Sequence, residues 1–187
     1  MNKPANLVET NDNLQEQAMQ RSNTDNAPRS AIHQTLYSVD TFVQHDYLAG
    51  KALPDIARPK EGQINWLHFV GINDAALLKH ALEPYGIHEL VIEDILSRKQ
   101  RPKIEDYGNY VFTAAQVYHY TTTGKLHSDQ VYVIIGKDFV LSFQQKPLGL
   151  FSQLRRQMHE NPHNILNKNT AFLAYCLLDR IVDDYFI

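Results

Sequence analysis

Apolar and polar positions divide the chain into short runs separated by turn-forming residues. In residues 34–43, Leu36, Tyr37, Val39, Phe42 and Val43 are apolar or β-favouring, and the segment predicts a first strand. Gly50, Pro54, Pro59 and Gly62 then mark an irregular connection, and INWLHFV at 64–70 predicts a second strand. Asn73 or Asp74 can cap a helix carrying Leu77, Leu78, Ala81 and Leu82 on one face, ended by Pro84 and Gly86. A further helix is expected over 88–96, burying Leu90, Val91, Ile92, Ile95 and Leu96. Pro102 disfavours a helical Arg101 and turns the chain.

Residues 109–120, 126–135 and 139–144 read as a three-stranded antiparallel meander, with turns at Thr-Thr-Thr-Gly and Gly136-Lys137-Asp138. A helix over 148–160 places Leu150, Phe151, Leu154 and Met158 on one face and stops at Pro162. Asn169 or Thr170 then caps a last helix over 171–187, with Ala174, Leu178, Ile181, Val182 and Tyr185 as its apolar stripe. No Gly, Pro or capping residue ends that helix before Ile187, so it is expected to continue in the natural protein. The expected fold is α/β (α+β): a mixed central sheet with an antiparallel meander and helices on both faces, an α/β/α sandwich. The domain is expected at 34–187. Residues 1–33, rich in Asn, Gln, Ser and Thr, read as a disordered tail with at most a marginal helix near Leu14–Met19.

Composition removes several function classes. A formal charge of −3 gives no basic excess for phosphate backbones, so no nucleic-acid partner is expected. The single cysteine, Cys176, forms neither an intrachain disulfide nor a multi-cysteine metal site, and its leucine-rich setting marks it as a small buried hydrophobe. Residues 1–26 lack the apolar core of a secretory signal, and no run approaches the ~20 apolar residues of a membrane span. A reducing cytoplasm fits these features.

No phosphate loop, nucleophile elbow or cysteine pair is present, and an enzyme is not expected. Among nine histidines, His159 and His163 lie four apart, but Pro162 between them interrupts a helix. His68, inside a strand, reads as a packed residue rather than a ligand. Glu93 and Asp94 interrupt the run VIEDIL. Their plain reading is a solvated helical face; their functional reading is a carboxylate pair for a hard divalent cation. Asp179 and Asp183, four apart, with Asp184, repel mildly and have Arg180 to relieve them. Arg98, Lys99, Arg101 and Lys103 are expected to pair with nearby acids such as Glu105 and Asp106.

The segment GIHELVIEDILSRKQRPKIEDYGNYVFTAAQVYHY resembles the signature of the CorA-type magnesium/cobalt transporter family. Its elements here are His88, Leu90, Glu93, Asp94 and Ile95, then Gln100, Arg101, Pro102, Lys103 and Glu105, then Tyr110 and Phe112. DQVYVIIGKDFVLSFQQ, YCLLDRIVDDYF and INWLHFVGI extend the likeness over residues 35–187. The resemblance implies the cytoplasmic regulatory domain of a divalent-cation (Mg²⁺/Co²⁺) channel or transporter, at the inner face of a bacterial inner membrane. It implies a homopentamer in the full-length form, attached to the membrane through C-terminal helices that this sequence lacks, as it lacks the Gly-Met-Asn pore loop. Regulatory Mg²⁺ (with Co²⁺ or Zn²⁺ as other candidates) would bind between subunits on Asp94 and Glu93, with Asp179 a further ligand, and so gate the pore. A ZntB-like zinc transporter domain and an α/β interaction domain without a transport role are the alternatives.

Overall fold

The computed structural model describes residues 30–49, 54–71, 73–120, 124–147 and 149–183. Its elements are β1 (Ser30–Tyr37), β2 (Phe42–Ala49), β3 (Ile64–Val70), α1 (Ala75–Leu82), α2 (Glu89–Ser97), β4 (Lys103–Asp106), β5 (Tyr110–Tyr120), β6 (Leu126–Gly136), β7 (Phe139–Gln144), α3 (Ser152–Glu160) and α4 (Thr170–Asp183). The seven strands form one sheet in the order β2-β1-β3-β7-β6-β5-β4. Every pairing is antiparallel except β3 with β7, which is parallel. This is the expected mixed sheet, with the meander at β5-β6-β7.

Successive strand residues point to opposite faces, and the core divides accordingly. Leu67, Phe69, Phe112, Tyr132, Ile134, Leu141 and Phe143 pack with Leu78, Leu82, Val91, Ile92 and Ile95 of α1 and α2. Trp66, Val117, Val131, Val133 and Val140 face the other way, onto Phe151, Leu154, Met158, Leu173, Leu177 and Ile181 of α3, α4 and the approach to α3. The sheet is therefore covered on both sides.

Helix ends follow local chemistry. The Asp74 carboxylate accepts from the Leu77 amide (3.0 Å), and Gly86, at φ +62°, takes the left-handed position after the 3-10 turn Glu83–Tyr85. The Asn169 side chain accepts from the Phe172 amide (3.0 Å), identifying the cap of α4.

Several expectations are corrected. The strand expected at 34–43 is two: Ser38 to Thr41 turn the chain, with the Ser38 amide donating to the Thr41 carbonyl (2.9 Å) and the Ser38 hydroxyl to Asp40 (2.8 Å). β1 starts at Ser30, so residues 30–33 belong to the sheet rather than to the tail. The remainder of the tail, its marginal helix, and residues 184–187 lie outside the described residues. β4 was not expected. α3 begins at Ser152 rather than 148, although Leu150 and Phe151 are buried as anticipated. Leu90 is 57% exposed, whereas Val91, Ile92 and Ile95 of α2 are buried as expected. The buried stripe of α4 is Thr170, Leu173, Ala174, Leu177 and Ile181, rotated from the one expected and leaving Val182 exposed.

Polar groups line one row across the α3 side of the sheet. Asp46, His33, His68 and Ser142 are consecutive lateral partners on β2, β1, β3 and β7. His33 Nδ1 lies 2.7 Å from Asp46, and Arg155 of α3 donates to the same carboxylate (2.7 Å). His68 is packed, as expected, with its ring stacked 5.9 Å from His33 and edge-on to Phe151. The Ser142 hydroxyl accepts from Trp66 Nε1 (2.9 Å) and is 2.9 Å from His68 Nδ1, free to give the imidazole its own proton. Burial, reinforced by His33 and Arg155, holds the His68 pKa well below its ordinary value. At Asp46, burial works to raise the carboxyl, but the His33 hydrogen bond and the Arg155 charge outweigh it and hold the pKa low.

Between the depressed folded pKa of His68 and the unfolded value near 6.5, the unfolded chain binds the extra proton, so stability falls as pH falls. Denaturant unfolding between pH 7.5 and 5.5 should lose up to about 1.4 kcal/mol per pH unit below pH ~6.5 from this group. H68F should flatten that slope; an unchanged slope would show that His68 does not carry it.

Candidate functional site

The acidic pair sits on α2. His88 caps the helix, its Nδ1 accepting from the Leu90 amide (3.2 Å), while its own amide donates to the Tyr110 hydroxyl (3.1 Å). The helix ends at Arg98, whose φ of +55° is a left-handed position held by a non-glycine residue. Arg98 also donates to the Asn73 side chain.

Asp94 is held from within the chain. Its Oδ1 accepts from Gln100 Nε2 (2.7 Å) and its Oδ2 from Lys103 Nζ (2.8 Å). The Lys103 ammonium also donates to Glu105 (3.0 Å) and stands 5.4 Å from the centre of the Phe112 ring. Hydrogen bonding to Asp94 leads the effects that raise the Lys103 pKa. The Tyr132 hydroxyl donates to the Asp94 carbonyl (3.1 Å), and Gln130 on β6 bonds the Gln100 backbone. The turn from α2 into β4 is thus fastened to the sheet by polar contacts around one carboxylate.

Glu93, the adjacent residue, is exposed. Along the family-like segment, His88 caps, Ile95, Tyr110 and Phe112 fill the core, and Asp94, Gln100, Lys103 and Glu105 make the network. Leu90, Glu93 and Arg101 are exposed and serve none of these purposes.

Asp179 lies on α4, which packs on the opposite face of the sheet from α2. One copy of the chain therefore keeps Asp179 apart from Glu93 and Asp94. Asp183 pairs loosely with Arg180 (3.8 Å), whose guanidinium also donates to Gln153 (2.8 Å). Lys103 pairs with acids as expected, though with Asp94 and Glu105 rather than Asp106. His159 lies on α3 and His163 in the 3-10 turn Pro162–Asn164, as the intervening Pro162 requires. Cys176 is half-buried, and burial pushes its thiol pKa up, the opposite of an activated nucleophile.

Among the described residues, no three His, Cys, Asp or Glu side chains converge in a way that could hold a metal ion. The carboxylates have the oxygen chemistry that Mg²⁺ prefers, but a single copy offers only part of a coordination sphere. Among the same residues, no helix is long and apolar enough to cross a membrane. One polar arrangement escaped the sequence reading: Arg155, His33 and Asp46 meet beside an open groove of about 530 Å³ between β2 and α3. Their separation along the chain leaves no local signal.

Residues 61–187 match the family model described as CorA-like Mg2+ transporter protein. The cobalt/magnesium transport protein CorA of Thermotoga maritima is 39% identical over 123 residues, covering 65% of this chain and 35% of that protein. The chain thus spans about a third of that relative's length. In fold, the soluble domain of CorA from Methanocaldococcus jannaschii superposes with a TM-score of 0.64 at 14% identity, covering 82% of this chain and 56% of that one. The ZntB cytoplasmic domain from Vibrio parahaemolyticus gives 0.55 at 11% identity, covering 83% and 61%. At such identities these two structures establish the fold alone.

Lys103→Met would keep the side-chain stem over Phe112 while removing the cation between Asp94 and Glu105. Charge-assisted hydrogen bonds of this kind contribute about 1.5–3 kcal/mol, and partial solvent access places the expected loss near ~1 kcal/mol. Chemical denaturation of the two forms at pH 7 measures it; equal stability would show that the network contributes nothing net.

Proposed function

The chain belongs to the CorA-like Mg2+ transporter family, and from that premise we propose that it is the cytoplasmic, cation-sensing domain of a divalent-cation channel or transporter for Mg²⁺ or Co²⁺. The family match over residues 61–187 carries this reading. The cation follows the Thermotoga maritima relative rather than the fold, which the CorA soluble domain and the ZntB cytoplasmic domain share. A transport role without catalysis agrees with the family.

In this reading the domain works in a full-length homopentamer at the cytoplasmic face of the bacterial inner membrane, with its membrane helices outside this chain. Residues 34–187, together with the start of β1, form the regulatory unit. Glu93 is the accessible carboxylate of the sensor. Asp94 joins it through a retained water or by releasing Lys103, since both of its oxygens are already engaged. Asp179 completes the site from a neighbouring copy, because it cannot reach α2 within its own.

Regulatory Mg²⁺ would then bridge acidic faces of adjacent copies and hold the ring symmetric, favouring a closed pore. Falling Mg²⁺ would leave like charges facing each other and let the copies splay. The cation thereby biases a two-state assembly through its differential affinity for one state. Lys103 sets the threshold in this scheme, because it competes with the divalent ion for Asp94.

Limited proteolysis of the full-length protein across a Mg²⁺ titration tests the assignment. Wild type should become protected as Mg²⁺ rises, and E93A/D94A should lose that protection. E93Q alone, which leaves the Asp94 network intact, should require at least several-fold more Mg²⁺. Unchanged protection in both variants would overturn the site, and protection by Zn²⁺ but not Mg²⁺ would move the chain to the zinc reading.

A further inference from the structure

β5 and β6 run on beyond the rest of the sheet. β4 pairs with β5 only as far as Ala114, and β7 pairs with β6 only from Val131, so residues 115–120 and 126–130 form a two-stranded end. There His119 and His127 are direct cross-strand partners. Their rings stack with centres 6.0 Å apart and planes 30° from parallel. Asp129, the partner of Val117, shares their face, and its Oδ2 lies 3.7 Å from His119 Nδ1.

Two details separate this pair from an ordinary surface contact. First, His119 Nδ1 is buried and has no hydrogen-bond partner, although a buried ring nitrogen left unpaired costs free energy. It lies near the Asp129 carboxylate, beyond hydrogen-bond length. Second, Asp129 is largely buried and fixed by Lys146, 3.0 Å from it. A carboxylate beside one ring nitrogen keeps the proton there and leaves the other nitrogen's lone pair available, the arrangement found behind metal-bound histidines. The second imidazole, at 6.0 Å between ring centres, leaves room for one ion with metal–nitrogen bonds of about 2.0–2.1 Å.

We propose that His119 and His127 chelate a borderline transition ion of the Zn²⁺, Co²⁺ or Ni²⁺ class. Asp129 is a positioning residue that closes onto His119 Nδ1 when the ion binds. Two imidazoles supply the protein donors and water completes the coordination, so the site is open and exchanging rather than structural. Nitrogen donors select against Mg²⁺, which demands oxygen and gives up water reluctantly. The site is thus distinct in chemistry and place from the carboxylates of α2, which lie over the opposite face of the sheet.

The test is Zn²⁺ calorimetry and Co²⁺ absorption on this chain in excess Mg²⁺, comparing wild type with H127A, H119A/H127A and D129N. His127 is exposed, so H127A should keep its metal-free melting temperature. Wild type should bind Zn²⁺ and show Co²⁺ ligand-field bands, with Zn²⁺ raising its melting temperature. H127A should bind at least tenfold more weakly and lose the Co²⁺ bands, and D129N should weaken binding by about tenfold. Wild-type affinity in H119A/H127A, or no Zn²⁺ binding by wild type, would each overturn the proposal.

Discussion

The parallel seam between β3 and β7 holds the molecule together. On one side of it lies an antiparallel unit, β2-β1-β3, and on the other the meander that ends at β4. Neither unit alone buries both of its faces. At the seam Phe69 and Phe143 stack at 4.9 Å with nearly parallel planes on the α1–α2 side, while Trp66 and His68 share Ser142 on the other. Backbone bonds from the Asn65 and Gly71 amides, to the Asp138 and Gln144 carbonyls, close its two ends. Because both strands are central, nearly every residue in them is buried, and their side chains set the register on which both helical layers rest.

Around Asp94 the same economy appears in polar form. A carboxylate on α2 faces the sheet rather than solvent, and one lysine, one glutamine and a carbonyl-bound tyrosine fasten it there. Such a group specifies the path of the chain from α2 into β4 more than it adds stability, since an ion pair with partial solvent access returns little net free energy. The family-like segment therefore mixes residues that build the domain with a few exposed ones that the build does not require. Glu93 and Leu90 belong to the second kind.

Most of the fold was legible because its central strands are continuous apolar runs and its helices carry ordinary amphipathic faces. Ile64–Val70 and Phe139–Gln144 match their expected bounds for that reason. The first hairpin was not legible, since Ser38 to Thr41 turn without Gly or Pro and are held by side-chain hydroxyls. β4 escaped because KIED is a four-residue edge strand with three charged residues, a pattern that looks like loop. For the site, sequence could locate Glu93 and Asp94 on a helix but not the tertiary contact that occupies Asp94. The separation of Asp179 depends on which face of the sheet each helix covers, and helical periodicity does not report that. The His119–His127 pairing was within reach, because the hairpin's symmetry about its turn places the two opposite each other.

The two helical layers give the domain a front and a back. Glu93 and Asp94 are on the front, and Asp179 is on the back. Two copies related by a two-fold axis through either face would set like against like and could not bring the unlike sets together. Stacking the front of one copy on the back of the next does so, and such a head-to-tail operation leaves each copy with one satisfied face and one open face. It ends either in a closed ring, where the last copy meets the first, or in an open filament. An ion shared in this way would be stoichiometric with the number of copies, and removing one copy's front would break the circle at a single joint.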